Sequence, residues 1–193
     1  MSKQFNKSWF YVAAQYVQAS MNLLDGMINT GNRKIAISDH EMSDDEVNEQ
    51  LRYSSQSIIL PALFCLYQGI ELILKGFVSY KSDHKPTHSF EKLLTQFLTH
   101  YDTECALSEL FFKLIKSPVE FIAQYKDTNK IKDMGSLYNT LRYPDMNKKN
   151  VNYDLLLHFD NQKFMFQVRG LGIDINRLLT LSVELFRKLE DSQ

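Results

Sequence analysis

A short polar segment between two apolar stretches concentrates the residue types best able to do chemistry. The sequence YKSDHKPTHSFEKLL, residues 80–94, holds two histidines and three lysines around one proline. His84 and His88 have the four-residue spacing of paired metal ligands, but Pro86 between them disfavours the helix that would align them. No cysteine pair and no His-Glu-x-x-His motif accompanies them. The sequence therefore predicts neither a metal site nor a bound cofactor.

Phosphate binding is a second chemistry that these residues could serve. The helix predicted after Thr87 would add the partial positive charge of its N-terminus. The sequence has no glycine-rich phosphate loop and no nucleophilic serine motif. Two interpretations stay open: an anion site, or a loop that is polar because it faces water. The residues suited to an anion are Lys75, Lys81, His84, Lys85, His88 and Arg142.

Just before this segment, the apolar run SIILPALFCLYQGIELILKGFV carries three polar residues at helical spacing. Gln68, Glu71 and Lys75 stand three and four residues apart and share one helical face. They form either a solvent-facing stripe with an ion pair or a polar stripe that lines a cleft or a dimer seam. Because the run is apolar nearly all round, we predict a central helix. Its expected core residues are Leu63, Leu66, Ile70, Ile73 and Phe77.

The elements that position this segment are predicted to be helices, since glycine (7) and proline (4) are scarce in 193 residues. Apolar residues recur at helical spacing along most of the chain. A Ser43–Glu46 capping box should open the second helix, and Pro61 should kink or divide it. A new cap is expected at Ser117, Pro118 and Glu120, within the fourth helix. The predicted helices are approximately 8–29, 43–80, 89–100, 104–125 and 175–189.

A change of period after residue 150 predicts one β element. Apolar residues alternate with polar ones from Val151 to Phe159 and again from Phe164 to Val168, with the turn DNQK between them. This pattern indicates a hairpin over residues 151–168. The preceding residues 126–150 are polar and are predicted to be irregular. The expected fold is an all-α, up-and-down helical bundle of five to six helices with one small β-hairpin.

Bulk properties bound the class of protein. A chain of 193 residues suits a single domain, 1–193, and a net charge of −1 gives no global basic field for nucleic acid. Cys65 and Cys105 stand in apolar runs, which predicts reduced, buried thiols. The N-terminus lacks the pattern of a signal peptide, and the longest uninterrupted apolar run is too short for a membrane span. We therefore expect a cytoplasmic protein without a membrane partner.

Three pieces of the sequence, taken in order, resemble the HEPN superfamily of small helical domains. They are the apolar helix with Glu71 and Lys75, the PTHSFEKLL start of the next helix, and LRYPD about fifty residues later. The resemblance covers residues 54–145. Many members of this superfamily are metal-independent ribonucleases, whose signature is an arginine followed after four to six residues by a histidine. After Arg142 the corresponding positions hold Asn147, Lys148 and Lys149, so the histidine is missing.

The resemblance is therefore to the branch that lacks the ribonuclease signature, whose members form dimers and are associated with nucleotide binding. It implies a nucleotide- or RNA-binding module linked to prokaryotic defence or toxin–antitoxin systems, possible partnership with a nucleotidyltransferase-type protein, and a homodimer. His88 and Arg142 are the candidates for any catalytic role. The implied ligand-binding residues are Glu71, Lys75, His84, Lys85, His88, Arg142, Tyr143 and Asp145.

Three alternatives to this reading remain. The chain could be a ribonuclease in which His88 or His84 replaces the missing histidine. It could be a structural dimerisation adaptor without a ligand. The RYPD segment could also be a structural turn, with Pro144 ending a helix and Arg142 paired with Glu71.

Overall fold

A computed structural model describes residues 7–81, 87–101, 105–143 and 161–191, and every regular element in these ranges is an α-helix. The helices are α1 (Lys7–Thr30), α2 (Asp44–Leu51), α3 (Ser55–Lys81), α4 (Phe90–His100), α5 (Ala106–Lys116), α6 (Glu120–Thr128), α7 (Met134–Arg142) and α8 (Asn161–Glu190). The all-α class is confirmed. The predicted count of five to six helices is wrong, because the described residues contain eight.

Helix α3 is the centre of the bundle, as its composition predicts. All five expected core residues, including Leu66 and Phe77, are buried. By length and composition α3 could cross a membrane, but 67% of its most apolar window is buried inside the protein. Because a core helix satisfies the same criteria, this observation is weak evidence for a membrane span.

Glycines let α1 pack closely against α3. A Cβ atom at Gly69 would lie 2.6 Å from Cγ2 of Val17, and one at Gly76 would lie 2.5 Å from a ring carbon of Phe10. Phe10 precedes Val17 in α1, but it faces Gly76, which follows Gly69 in α3. The two helices therefore run antiparallel. The absence of side chains at these positions therefore sets the separation of the two helices.

One buried asparagine joins the ends of three helices. Asn32 follows α1 with a left-handed backbone (φ 53°), a conformation that asparagine tolerates better than most residues. Its Oδ1 accepts a hydrogen bond from the backbone N–H of Ser55 at 2.6 Å, and its Nδ2 donates to Oδ1 of Asn161 at 2.8 Å. It thereby connects the end of α1 to the beginnings of α3 and α8.

Helix α4 runs parallel to α3, which departs from a strict up-and-down order. Phe90, at the start of α4, packs on Tyr67, while Phe97, two turns later, packs on Phe77. The first residues of α4 therefore lie beside the middle of α3 rather than beside its end.

The second predicted helix is divided, but not where the sequence suggested. The capping box is present, since Ser43 and Glu46 bond reciprocally at the start of α2. The break falls between Leu51 and Ser55, and α3 continues through Pro61. Pro61 has no N–H to donate, so α3 lacks one helical hydrogen bond there, and its ring is exposed to solvent.

The predicted hairpin is wrong in its second half. Phe164, Phe166 and Val168 lie within α8, which begins at Asn161 instead of Ile175. A short alternation of apolar and polar residues also fits a helix. Phe164 and Val168 are four residues apart, so they lie on the same face of α8, and both are buried. The first predicted strand, 151–159, lies outside the described residues.

Two further local assignments also need correction. Residues 134–142 were predicted to be irregular but form α7, which Asp133 caps by accepting a hydrogen bond from the N–H of Ser136 at 2.7 Å. The predicted break near Pro118 is confirmed. However, Val119 rather than Ser117 is the N-cap of α6, and Ser117 instead ends α5.

Replacing Gly69 with alanine should lower the free energy of unfolding by about 1–3 kcal/mol, because the new methyl group would force α1 away from α3. Gly170→Ala is the matched control, since a Cβ there meets nothing within 4 Å. It should raise stability by about 0.5–1 kcal/mol through helix propensity. Urea denaturation of the two variants measures both changes in the free energy of unfolding. Equal effects of the two substitutions would contradict the close packing of α1 on α3.

Candidate functional site

The polar stripe on α3 is an internal feature of the bundle. Glu71 is 1% exposed and Lys75 is 9% exposed, so the interpretation of a solvent-facing stripe is wrong. One turn apart on the helix, their side chains form an ion pair with Nζ 2.5 Å from Oε1. A carboxylate at this depth requires partners, because burying an unpaired charge is strongly unfavourable.

His88 supplies the second partner of Glu71. Its Nδ1 lies 2.7 Å from Oε1 of Glu71 and 3.4 Å from Nζ of Lys75. The ring is held next to the start of α4, where Ser89 is the N-cap and accepts a hydrogen bond from the N–H of Lys92. The His88 side chain is 61% exposed, and within the described residues its Nε2 has no hydrogen-bond partner. The carboxylate therefore orients the ring and leaves Nε2 available.

Helix α7 approaches the same carboxylate from another side. The phenol of Tyr138 donates a hydrogen bond to Oε1 of Gln68. Burial raises the pKa of Tyr138 above its usual range, the negative charge of Glu71 raises it further, and the positive charge of Arg142 partly opposes the shift. Oε2 of Glu71 is buried without a hydrogen-bond partner among the described residues.

Arg142 lies one turn beyond Tyr138, at the end of α7. It is exposed, and its guanidinium stands 5.1 Å from the ring centre of Tyr143, which is 42% exposed. The proposed pairing of Arg142 with Glu71 is not observed, since the carboxylate pairs with Lys75 and His88. The positive charge of Arg142 acts on the phenol of Tyr138, where it partly opposes the rise in pKa.

Trp9 closes the cluster on the side of α1. Nζ of Lys75 stands 5.8 Å from the centre of the indole ring, within the range of a cation–π contact. The half-buried ring therefore covers the ion pair where α1 crosses α3. Among the described residues, the polar cluster is defined as Trp9, Gln68, Glu71, Lys75, His88, Tyr138 and Arg142.

The structure brings three of the eight predicted ligand-binding residues into direct contact, namely Glu71, Lys75 and His88. Arg142 stands over Tyr143, and its charge acts on the Tyr138 phenol. His84, Lys85 and Asp145 lie outside the described residues. Sequence reasoning missed Trp9 and Tyr138. The spacing of Leu137 and Leu141 after Asp133 is typical of a capped helix, so the sequence could have indicated α7 but not the contact of Tyr138 with α3.

The arrangement suits anion binding rather than cation binding. The buried carboxylate already pairs with Lys75 and contacts His88, while the exposed guanidinium of Arg142 presents N–H donors to solvent. Nε2 of His88 also faces solvent and donates when the imidazole is protonated. In the part of the chain that the structure describes, no group of three His, Cys, Asp or Glu side chains could hold a metal ion. The two cysteines are free and half-buried, and burial raises the pKa of the Cys65 thiol, which lowers its reactivity.

Comparisons with protein families, with curated proteins and with solved structures find no match to this chain. The geometry of the polar cluster is therefore the observation on which a function must rest.

Removing one charge of the buried pair should cost far more than removing both. We expect Glu71→Leu or Lys75→Met alone to lower the free energy of unfolding by about 3–5 kcal/mol, and the double variant to recover most of that loss. The exposed pair of Arg52 and Glu49, 3.6 Å apart, is the control. Alanine at either control position should leave the denaturation curve unchanged. Additive losses in the buried pair would show that the two charges do not interact.

Proposed function

We propose that this chain is a HEPN-like module that binds a phosphate group of a nucleotide or RNA at the polar cluster. The observation that carries the proposal is the position of His88 over a buried carboxylate. Glu71 holds Nδ1, so Nε2 is the ring nitrogen that can meet a ligand. A proposed role in prokaryotic defence or toxin–antitoxin systems, with a nucleotidyltransferase-type partner protein, follows only from the resemblance to this superfamily.

The distribution of charge supports an anionic ligand. Lys75 neutralises Glu71 within the protein, which leaves the positive charge of Arg142 exposed to solvent. The protonated form of His88 would add an Nε2–H donor for an anion. A planar guanidinium presents several N–H donors in a geometry that matches phosphate oxygens. The start of α4 adds backbone dipole of the favourable sign beside His88. The proposed phosphate site thus combines groups from the start of α4 and the end of α7.

A homodimer is part of this proposal. The chain is rich in aromatic residues and has little net charge, and several large apolar side chains are exposed in the described residues, among them Phe112, Phe166 and Ile173. Light scattering at micromolar concentration should report twice the chain mass of 22.6 kDa. A monomer under these conditions would contradict the dimer and leave the phosphate site to be tested by itself.

A ribonuclease with a variant site is the second candidate, and one observation favours it. A carboxylate that fixes one ring nitrogen of a histidine leaves the other oriented for proton transfer, as in other acid–base catalysts. Cleavage of RNA in the presence of a chelator, lost in His88→Ala and retained in His100→Ala, would promote this candidate over simple binding. His100 is an exposed histidine at the other end of α4 and so controls for general loss of charge.

Arg142→Ala should weaken binding of a nucleotide or short RNA by about ten-fold or more, because a charge-assisted hydrogen bond contributes about 1.5–3 kcal/mol. Isothermal titration calorimetry against a nucleoside triphosphate and a labelled oligoribonucleotide measures this loss. Arg52→Ala is the matched control, since Arg52 is an exposed arginine of the α2–α3 connection. Binding should also weaken with salt.

Two outcomes would contradict the proposed site. Equal weakening by Arg142→Ala and Arg52→Ala would indicate nonspecific attraction to positive charge. If no phosphate compound binds the intact protein, the cluster is structural, and the ligand-free adaptor becomes the better description. Circular dichroism of each variant separates loss of binding from loss of fold.

A further inference from the structure

An apolar cavity between α1, α3 and α8 lies apart from the polar cluster. Its volume is about 280 Å³, close to the lower end of small-molecule sites. Ile73 forms the wall of the cavity on α3. It lies two residues from both Glu71 and Lys75, so its side chain is on the opposite face of that helix. The remaining apolar walls come from Phe10, Ala14, Leu179 and Phe186.

One wall of this cavity contains a hydroxyl group whose hydrogen-bonding capacity is unused. Ser182 is 2% exposed, and its Oγ has no hydrogen-bond partner among the described residues. A serine within a helix commonly bonds back to the carbonyl oxygen one turn earlier, and this one does not. An unfilled space and an unpaired hydroxyl both lower stability, so the packing of the three helices here is not optimised for stability alone.

The rim of the cavity is cationic. Lys7 and Glu190 form an ion pair across the mouth, which cancels their charges. Arg187, one turn before Glu190, also lines the mouth, is exposed, and makes no ion pair with any described residue. One positive charge therefore remains uncompensated beside an apolar interior. A ligand complementary to this arrangement has an apolar body and one anionic head.

We propose that this cavity binds an anionic amphiphile, a molecule with a short hydrocarbon or aromatic body and a carboxylate head. The body would occupy the space between Phe10, Ile73 and Phe186, and the carboxylate would receive hydrogen bonds from the guanidinium of Arg187. Exposed Tyr11 and Val183 flank the opening and would cover the part of the body nearest to solvent. This site is independent of the proposed phosphate site.

Three probes of equal length separate the contributions of body and head. Octanoate, 1-octanol and octylammonium, each below its micelle concentration, are titrated into the full chain by calorimetry. Octanoate should bind at least ten-fold more tightly than octylammonium, with 1-octanol between them. If octanoate shows no saturable binding, or binds no better than octylammonium, the proposal is wrong.

Arg187→Gln should reduce the affinity for octanoate to that for 1-octanol and leave 1-octanol unchanged. Arg177→Gln is the matched control, because Arg177 is an exposed arginine of the same helix that does not line the cavity. Equal losses in the two variants would show that octanoate responds to overall charge, which would overturn the assignment of its head to Arg187.

Ala14→Leu tests the cavity itself. A larger side chain from α1 should fill the space, abolish binding of both octanoate and 1-octanol, and raise the midpoint of thermal unfolding. Retained binding in a folded Ala14→Leu protein would contradict the site. If the variant does not fold, the comparison of Arg187→Gln with Arg177→Gln still decides. Dissociation of a dimer by Ala14→Leu, without octanoate binding to the parent, would assign the groove to a second copy and reject the ligand.

Discussion

Burial of α3 on nearly every side is the constraint on which the rest of the structure depends. A helix in this position has no solvent-facing stripe, so its two charged residues, Glu71 and Lys75, must satisfy each other and find further partners inside the protein. His88, just before α4, contacts that carboxylate, and Tyr138 of α7 donates to Gln68 one turn earlier on α3. The polar residues of α3 are therefore met by side chains from the start of α4 and from α7.

The close approach of α1 makes this burial possible. Glycines at positions 69 and 76 remove the side chains that would otherwise separate α1 from α3. Asn32 then ties the end of α1 to the beginnings of α3 and α8, through a backbone conformation that few residues adopt readily. Trp9, near the other end of α1, covers the Lys75 ammonium. The contact between α1 and α3 therefore determines both the close packing of the core and the cover over the buried Lys75 ammonium.

Sequence pattern predicted the parts of the fold that depend on local chemistry. The core face of α3, the capping box at Ser43 and the grouping of Glu71 with Lys75 all follow from helical spacing. It failed where several periodicities fit a short run, as at Phe164 to Val168, and where a polar helix such as α7 has few apolar residues. The contribution of Tyr138 to the site could not be predicted, because it depends on how α7 docks on α3.

The direction of α4 explains why the site residues meet although they are far apart in sequence. Had α4 run antiparallel to α3, its first turn would lie beside the end of α3, and His88 would be about two to three turns from Glu71. In the observed parallel arrangement, the start of α4 instead lies near Tyr67 and Glu71, where α7 also docks. The imidazole of His88 and the phenol of Tyr138 therefore both meet polar residues of α3. The parallel direction of α4 thus gathers residues from three parts of the chain into one site with an internal counter-charge.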